Sequence, residues 1–124
     1  MPPPSSLDRT PSPPFAADRA PIDLAHLARM TLGDGRLGRE VLAMFVKQTG
    51  ELLGRLAGRP DDGAALAHTL KGSARAIGAF QVATCAEVLE NTIRQGGDPS
   101  GALAGLEAAT EDASAAIEAI LAGP

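Results

Sequence analysis

From Ile22 onward, apolar side chains recur at steps of three and four residues along most of the chain. In an α-helix this spacing gathers side chains on one face, so the pattern predicts amphipathic helices whose apolar faces pack together. The predicted elements are a short first helix that ends at Leu32 and four longer helices, over about 36–57, 61–77, 80–95 and 99–121.

Capping and turn residues separate these segments. Asp23 is suited to cap the first helix, and Ile22 and Leu27 stand where a hydrophobic staple would close it. Asp98-Pro99 places proline at the first position of the last helix, where a missing amide hydrogen costs no hydrogen bond. The other breaks contain glycine: 33–35, 58–60, Gly78 and 96–97. The fold class predicted is all-α, an up-down-up-down four-helix bundle whose short extra N-terminal helix covers one end.

The first 21 residues differ from the rest, because they hold seven of the ten prolines. Proline lacks an amide hydrogen and sustains neither a helix nor a sheet ladder. We therefore predict a disordered proline-rich arm over 1–21 and one helical bundle domain over 22–122. A ligand for a proline-binding domain is the alternative interpretation of the arm.

Composition and charge exclude several classes of protein. Aromatic residues make up only 2% and the formal charge is −4, which disfavours a β-sandwich, a nucleic-acid binder and a membrane-surface protein. Cys85 is the only cysteine, so no disulfide or CxxC metal motif can form within the chain, and we expect it to be a small buried side chain. The chain has neither a signal-like start nor a membrane-spanning run, and we expect it to be cytoplasmic.

The third predicted helix carries the candidate chemistry. At about 3.6 residues per turn, one face turns to the core and the other to solvent. The predicted core positions are Leu66, Leu70, Ser73 and Ile77. The predicted solvent positions are His68, Lys71, Gly72 and Arg75.

This outer face has the parts of a phosphoryl acceptor. Neutral imidazole at His68 is a nucleophile near neutral pH, and the ammonium of Lys71 lies one turn away to meet phosphate oxygens. Gly72 leaves open space beside the imidazole. Other interpretations of the spacing remain open: an inert surface histidine, a solvated Lys/Arg pair, and a glycine required by a passing helix. His26, without such a motif, is predicted to be a surface residue.

The run His68-Thr69-Leu70-Lys71-Gly72-Ser73-Ala74, followed by Gly78-Ala79, resembles the signature of histidine-containing phosphotransfer (HPt) domains. The resemblance extends over about 22–121 and includes Leu89-Glu90 in the fourth helix. One departure is Ala76, where many members of the family carry Asn.

The resemblance implies a monomeric bundle in which His68 shuttles a phosphoryl group in a multistep phosphorelay. Its partners would be a response-regulator receiver domain, a hybrid histidine kinase, or both, with neither nucleic acid nor membrane involved. Lys71 would support the phosphate, with Arg75 and Arg94 as further candidates, while Gly72, Ser73 and Gly78 would serve access and packing. No metal or cofactor is expected on this chain, since the receiver would bring Mg²⁺.

Two function classes follow from the sequence. The first is a phosphocarrier rather than an enzyme, because no nucleotide-binding box is present. The second is a helical interaction module that binds or sequesters a receiver or kinase without accepting phosphate. The presence of His68, Lys71 and Gly72 together favours the carrier.

Overall fold

The computed structural model describes residues 20–123, and within them every regular element is a helix. The helices are α1 (Leu24–Met30), α2 (Gly35–Ala57), α3 (Gly63–Ile77), α4 (Phe80–Arg94) and α5 (Ser100–Ala122). The predicted all-α class is confirmed. The predicted arm over 1–21 lies outside the described residues except for Ala20 and Pro21.

The four long helices form a closed bundle. Each one packs on the next along the chain, and α5 packs back on α2. Arg39, near the start of α2, donates to the carbonyls of Ile120 and Leu121 at the end of α5. Arg59, just after α2, donates to the hydroxyl of Ser100 at the start of α5. The two helices therefore run antiparallel, as the predicted up-down-up-down bundle requires, and α1 packs on α2 and α3.

The core consists mainly of leucine and alanine. Four alanines, two from α3 and two from α4, are almost fully buried: Ala67, Ala74, Ala83 and Ala86. Small side chains let two helices approach closely, and these two helices share the most extensive contact in the bundle. This close packing brings the outer edges of α3 and α4 together, where the candidate residues lie.

The helix boundaries depart from the predictions by one or two residues. α1 ends at Met30 rather than Leu32, because Leu32 takes a left-handed backbone conformation with φ +54°. α2 begins at Gly35, where the Asp34 carboxylate accepts from the amide of Leu37 at 3.0 Å. α5 begins at Ser100 rather than Pro99, although Asp98 accepts from the Ser100 amide at 3.0 Å as a capping residue would.

Gly78 ends α3 and ties the first helix to the bundle. Its φ is +87°, and its carbonyl accepts from the amide of Asp23 at 2.9 Å. A Cβ added there would lie 2.7 Å from the Asp23 carbonyl oxygen. The sequence predicted a break or helix cap at this position, and the structure adds the reason why only glycine fits.

Gly78→Ala is expected to lower the free energy of unfolding by about 2–4 kcal/mol, because left-handed strain adds to a backbone clash. Gly96→Ala is the matched control, since Gly96 has φ +75° but nothing lies within 4 Å of its added Cβ. That control is expected to lose only about 1–2 kcal/mol. Urea denaturation followed by circular dichroism measures both values. Equal losses would mean that the Asp23 contact has no energetic importance.

Candidate functional site

His68 lies in the second turn of α3, and its imidazole faces outward. The side chain is 62% exposed, whereas Ala67 and Leu70 beside it are completely buried. Its Nδ1 lies 3.1 Å from Oε2 of Glu90 on α4. Because the ionised carboxylate only accepts hydrogen bonds, Nδ1 carries the proton in this contact. The other ring nitrogen, Nε2, then keeps its lone pair.

Glu90 is the centre of the site. Its side chain is only 8% exposed, yet it contacts three other side chains. Lys71 Nζ lies 2.9 Å from Oε1, while Arg94 donates from Nε and Nη2 to Oε2 at 3.1 and 3.0 Å. We call His68, Lys71, Glu90 and Arg94 the Glu90 cluster. Buried carboxylates need such partners to remain ionised.

The electrostatic consequence falls on Glu90. Its hydrogen bond with the Lys71 ammonium, helped by Arg94 and His68, holds the pKa of the Glu90 carboxyl at about 2, although burial acts in the opposite direction. The carboxylate is therefore charged at every pH in which the protein would function.

A depressed pKa stabilises the folded state above the ordinary value and loses that contribution as the pH falls toward the folded value. Between about pH 5 and pH 2, the free energy of unfolding of the wild type is expected to fall by on the order of 2–3 kcal/mol more than that of Glu90→Gln. Chemical denaturation at a series of pH values measures this difference. Parallel curves for the two proteins would contradict it.

Lys71 does not lie on the solvent face, so that part of the sequence prediction was wrong. Its side chain is only 14% exposed and turns toward α4 to reach Glu90. Successive helix residues are about 100° apart, so Lys71 sits a quarter-turn from buried Leu70, at the border of the core face. The periodicity alone did not reveal a partner across that border.

The two predicted arginines differ in position. Arg94 joins the Glu90 cluster, and its side chain is 57% exposed. Arg75 is also exposed, but it lies 3.7 Å from Glu87 and has no contact with the cluster. The structure therefore brings Arg94 close to His68 through a shared carboxylate oxygen and leaves Arg75 two turns along α3.

The small residues of the motif also differ. An added Cβ at Gly72 would meet nothing within 4 Å, so the space beside His68 is open and no helix passes close. Ser73 was predicted to be a core residue, and this was wrong. Its side chain is half-buried at the rim of a shallow groove between α2 and α3. The groove also contains Val41, Met44 and Ala76. Gly78 lies at the end of α3, away from the imidazole.

Two other reactive side chains lie elsewhere. Cys85 on α4 is half-buried and packs against the core. His26 is not the surface residue that the sequence predicted, since its ring centroid lies 5.1 Å from that of Phe80 and its Nε2 is buried. Helix α1 packs this ring against the start of α4. Neither residue contacts the Glu90 cluster.

Sequence reasoning missed the role of Glu90. The residue was noted only as part of the Leu89-Glu90 pair, yet Ala83, Ala86 and Glu90 follow each other at steps of three and four residues. A carboxylate at a core spacing, with Arg94 one turn later, was the available signal. The contacts of Glu90 with Lys71 and His68 could not be seen in this spacing, because they depend on the packing of α3 on α4.

The arrangement presents an exposed imidazole whose Nδ1 contacts a buried carboxylate, with two cations in the same cluster. Among residues 20–123, no group of three His, Cys, Asp or Glu side chains could hold a metal ion. The described helices include none that is both long and apolar enough to cross a membrane.

Comparison with known proteins adds one finding. A family model described as the Hpt domain matches residues 40–122, about two-thirds of the chain. The match includes the whole Glu90 cluster and begins inside α2. The predicted resemblance began at about residue 22, and its first part, residues 22–39, lies outside the match. No curated protein matches the chain.

Proposed function

Because the chain belongs to the Hpt domain family, we propose that it relays a phosphoryl group through His68, to or from the aspartate of a receiver domain. The proposed role is that of a carrier, which accepts and donates the group but has no ATP site of its own. Its partners in this proposal are a receiver domain, a hybrid histidine kinase, or both.

The contact between His68 and Glu90 is the observation that best supports this function. A carboxylate that accepts from Nδ1 fixes the tautomer and holds the ring, and it leaves the Nε2 lone pair free on a side chain that is 62% exposed. A nucleophile must be both unprotonated and accessible. An exposed histidine without such a partner would have neither its tautomer nor its ring position set.

The transfer step balances without an additional proton. Nε2 attacks the phosphorus of the receiver's aspartyl phosphate, and a nitrogen–phosphorus bond forms as the phosphorus–oxygen bond breaks. The bonding electron pair leaves with the aspartate carboxylate. The ring of His68 keeps its Nδ1 proton, for which the Glu90 carboxylate 3.1 Å away is the acceptor, and becomes positively charged.

Other side chains serve the phosphoryl oxygens and the approach of the partner. Lys71 and Arg94 supply two positive charges next to the imidazole, where the added group would carry about −1.5 to −2. Gly72 leaves room for the receiver. We expect the receiver to bring Mg²⁺ and most of the catalytic groups, so this chain contributes a positioned nucleophile.

The test is transfer from a receiver domain that carries radiolabelled phosphate on its aspartate. We expect the label to appear on this chain and to be labile in acid but stable in alkali, as a phosphorus–nitrogen bond is. An interaction module would bind the receiver and slow its dephosphorylation without acquiring label. Binding without label would therefore refute the carrier function in favour of that alternative.

A further inference from the structure

Glu90 contacts every other member of its cluster, and this places it in competition with a phosphoryl group. We propose that Glu90 is a positioning residue that shortens the stay of the phosphoryl group on His68, so that the chain passes the group on rather than storing it. The inference rests on the proposed function, because it concerns the phosphorylated form of His68.

The first argument concerns the cations. Lys71 is held 2.9 Å from Oε1 of Glu90 with little exposure, and Arg94 uses two of its nitrogens on Oε2. A phosphoryl group on Nε2 could receive the full charge of Lys71 only if Lys71 left Glu90. That exchange would leave a buried carboxylate with less neutralisation, which is unfavourable. Glu90 therefore reduces the stabilisation that the phosphoryl group obtains.

The second argument concerns the proton on Nδ1. A carboxylate 3.1 Å away favours the form of phosphohistidine that keeps this proton. In that form the positively charged ring draws the electron pair of the nitrogen–phosphorus bond toward Nε2. When the bond breaks, the pair returns to Nε2, the ring leaves as neutral imidazole and the phosphoryl group goes to the acceptor oxygen. Glu90 therefore makes the bond easier to break.

Both arguments predict that the phosphoryl group stays longer on His68 when the charge of Glu90 is removed. The other charged pair along these edges of α3 and α4 is Arg75 with Glu87, which lies outside the cluster. Glu87 stands three residues before Glu90 on the same helix and is 46% exposed, so it offers a matched carboxylate without contact to His68. Glu87→Gln changes the net charge of the chain by the same amount as Glu90→Gln and leaves the Glu90 cluster intact.

The experiment compares wild type, Glu90→Gln and Glu87→Gln after labelling with phosphoramidate, a small phosphoryl donor. Glutamine keeps an oxygen for Nδ1–H and removes the charge. At about pH 7.5 we expect the half-life of the phosphohistidine to rise roughly threefold or more in Glu90→Gln and to stay unchanged in Glu87→Gln. The difference should shrink in acid, where the ring keeps its proton without help from Glu90. A purely structural role would not produce this pH profile.

The outcomes separate the inference from the proposed function. An equal or shorter half-life in Glu90→Gln overturns the inference, and so does a folded variant that takes no label. If Glu90→Gln does not fold, Glu90→Met provides an uncharged side chain of similar length, with the same expectation. A wild type that takes no label on His68 overturns the proposed function, and the inference fails with it.

Discussion

His68→Gln is expected to abolish labelling by a phosphorylated receiver and by a small phosphoryl donor. The reason is that glutamine provides no ring nitrogen with a nucleophilic lone pair. The fold should survive, because the His68 side chain is largely exposed and its polar contact is with Glu90 at the surface of the bundle. The measurements are radiolabel incorporation and the helical circular-dichroism signal.

The matched control for this variant is His26→Gln, which removes the other histidine. His26 packs on Phe80 and does not contact the Glu90 cluster, so the folded variant should incorporate label as the wild type does. Label that persists in His68→Gln, or disappears only in His26→Gln, would place the acceptor elsewhere.

Gly72→Gln is expected to lower phosphotransfer from a receiver by about 100-fold or more. A side chain there would occupy the open space one turn from His68, and a displacement of about 1 Å can have an effect of this size. A small donor should still label His68. The helix itself should gain stability, by up to about 1 kcal/mol, because glycine is a poor helix former.

Gly105→Gln gives the comparison for this effect. Gly105 lies in α5, and an added Cβ there also meets nothing within 4 Å. That variant should gain similar stability and transfer at the wild-type rate. A Gly72→Gln protein that melts early and labels poorly with both donors would mean that Gly72 has a packing role.

The sequence predicted the secondary structure well because the chain marks the helix ends with strong local signals. Asp23, Asp34 and Asp98 each accept an amide hydrogen bond within three residues, and such contacts depend little on the rest of the fold. The departure at the end of α1 occurs where the backbone is unusual. Leu32 takes a left-handed conformation, which periodicity does not indicate for a leucine.

The candidate site was only partly predictable for a different reason. Periodicity gives the angle of a residue around its own helix, so the outward positions of His68 and Gly72 followed from the spacing. It does not give the side chains that a neighbouring helix contributes. Lys71 turns toward α4 and Glu90 is buried because charges from two helices meet at one carboxylate. Ser73 departs from the prediction because it lies at the edge of the core face.

The central claim is that Nε2 of His68 takes the phosphoryl group while Nδ1 keeps its proton toward Glu90. Nuclear magnetic resonance of the nitrogen-labelled chain, before and after phosphorylation, tests it most directly. We predict a Nδ1-protonated imidazole at His68 in the resting chain, and after phosphorylation a phosphorus coupling to Nε2 of the same ring. Coupling to Nδ1, coupling to His26, or no phosphorus–nitrogen coupling would contradict the account.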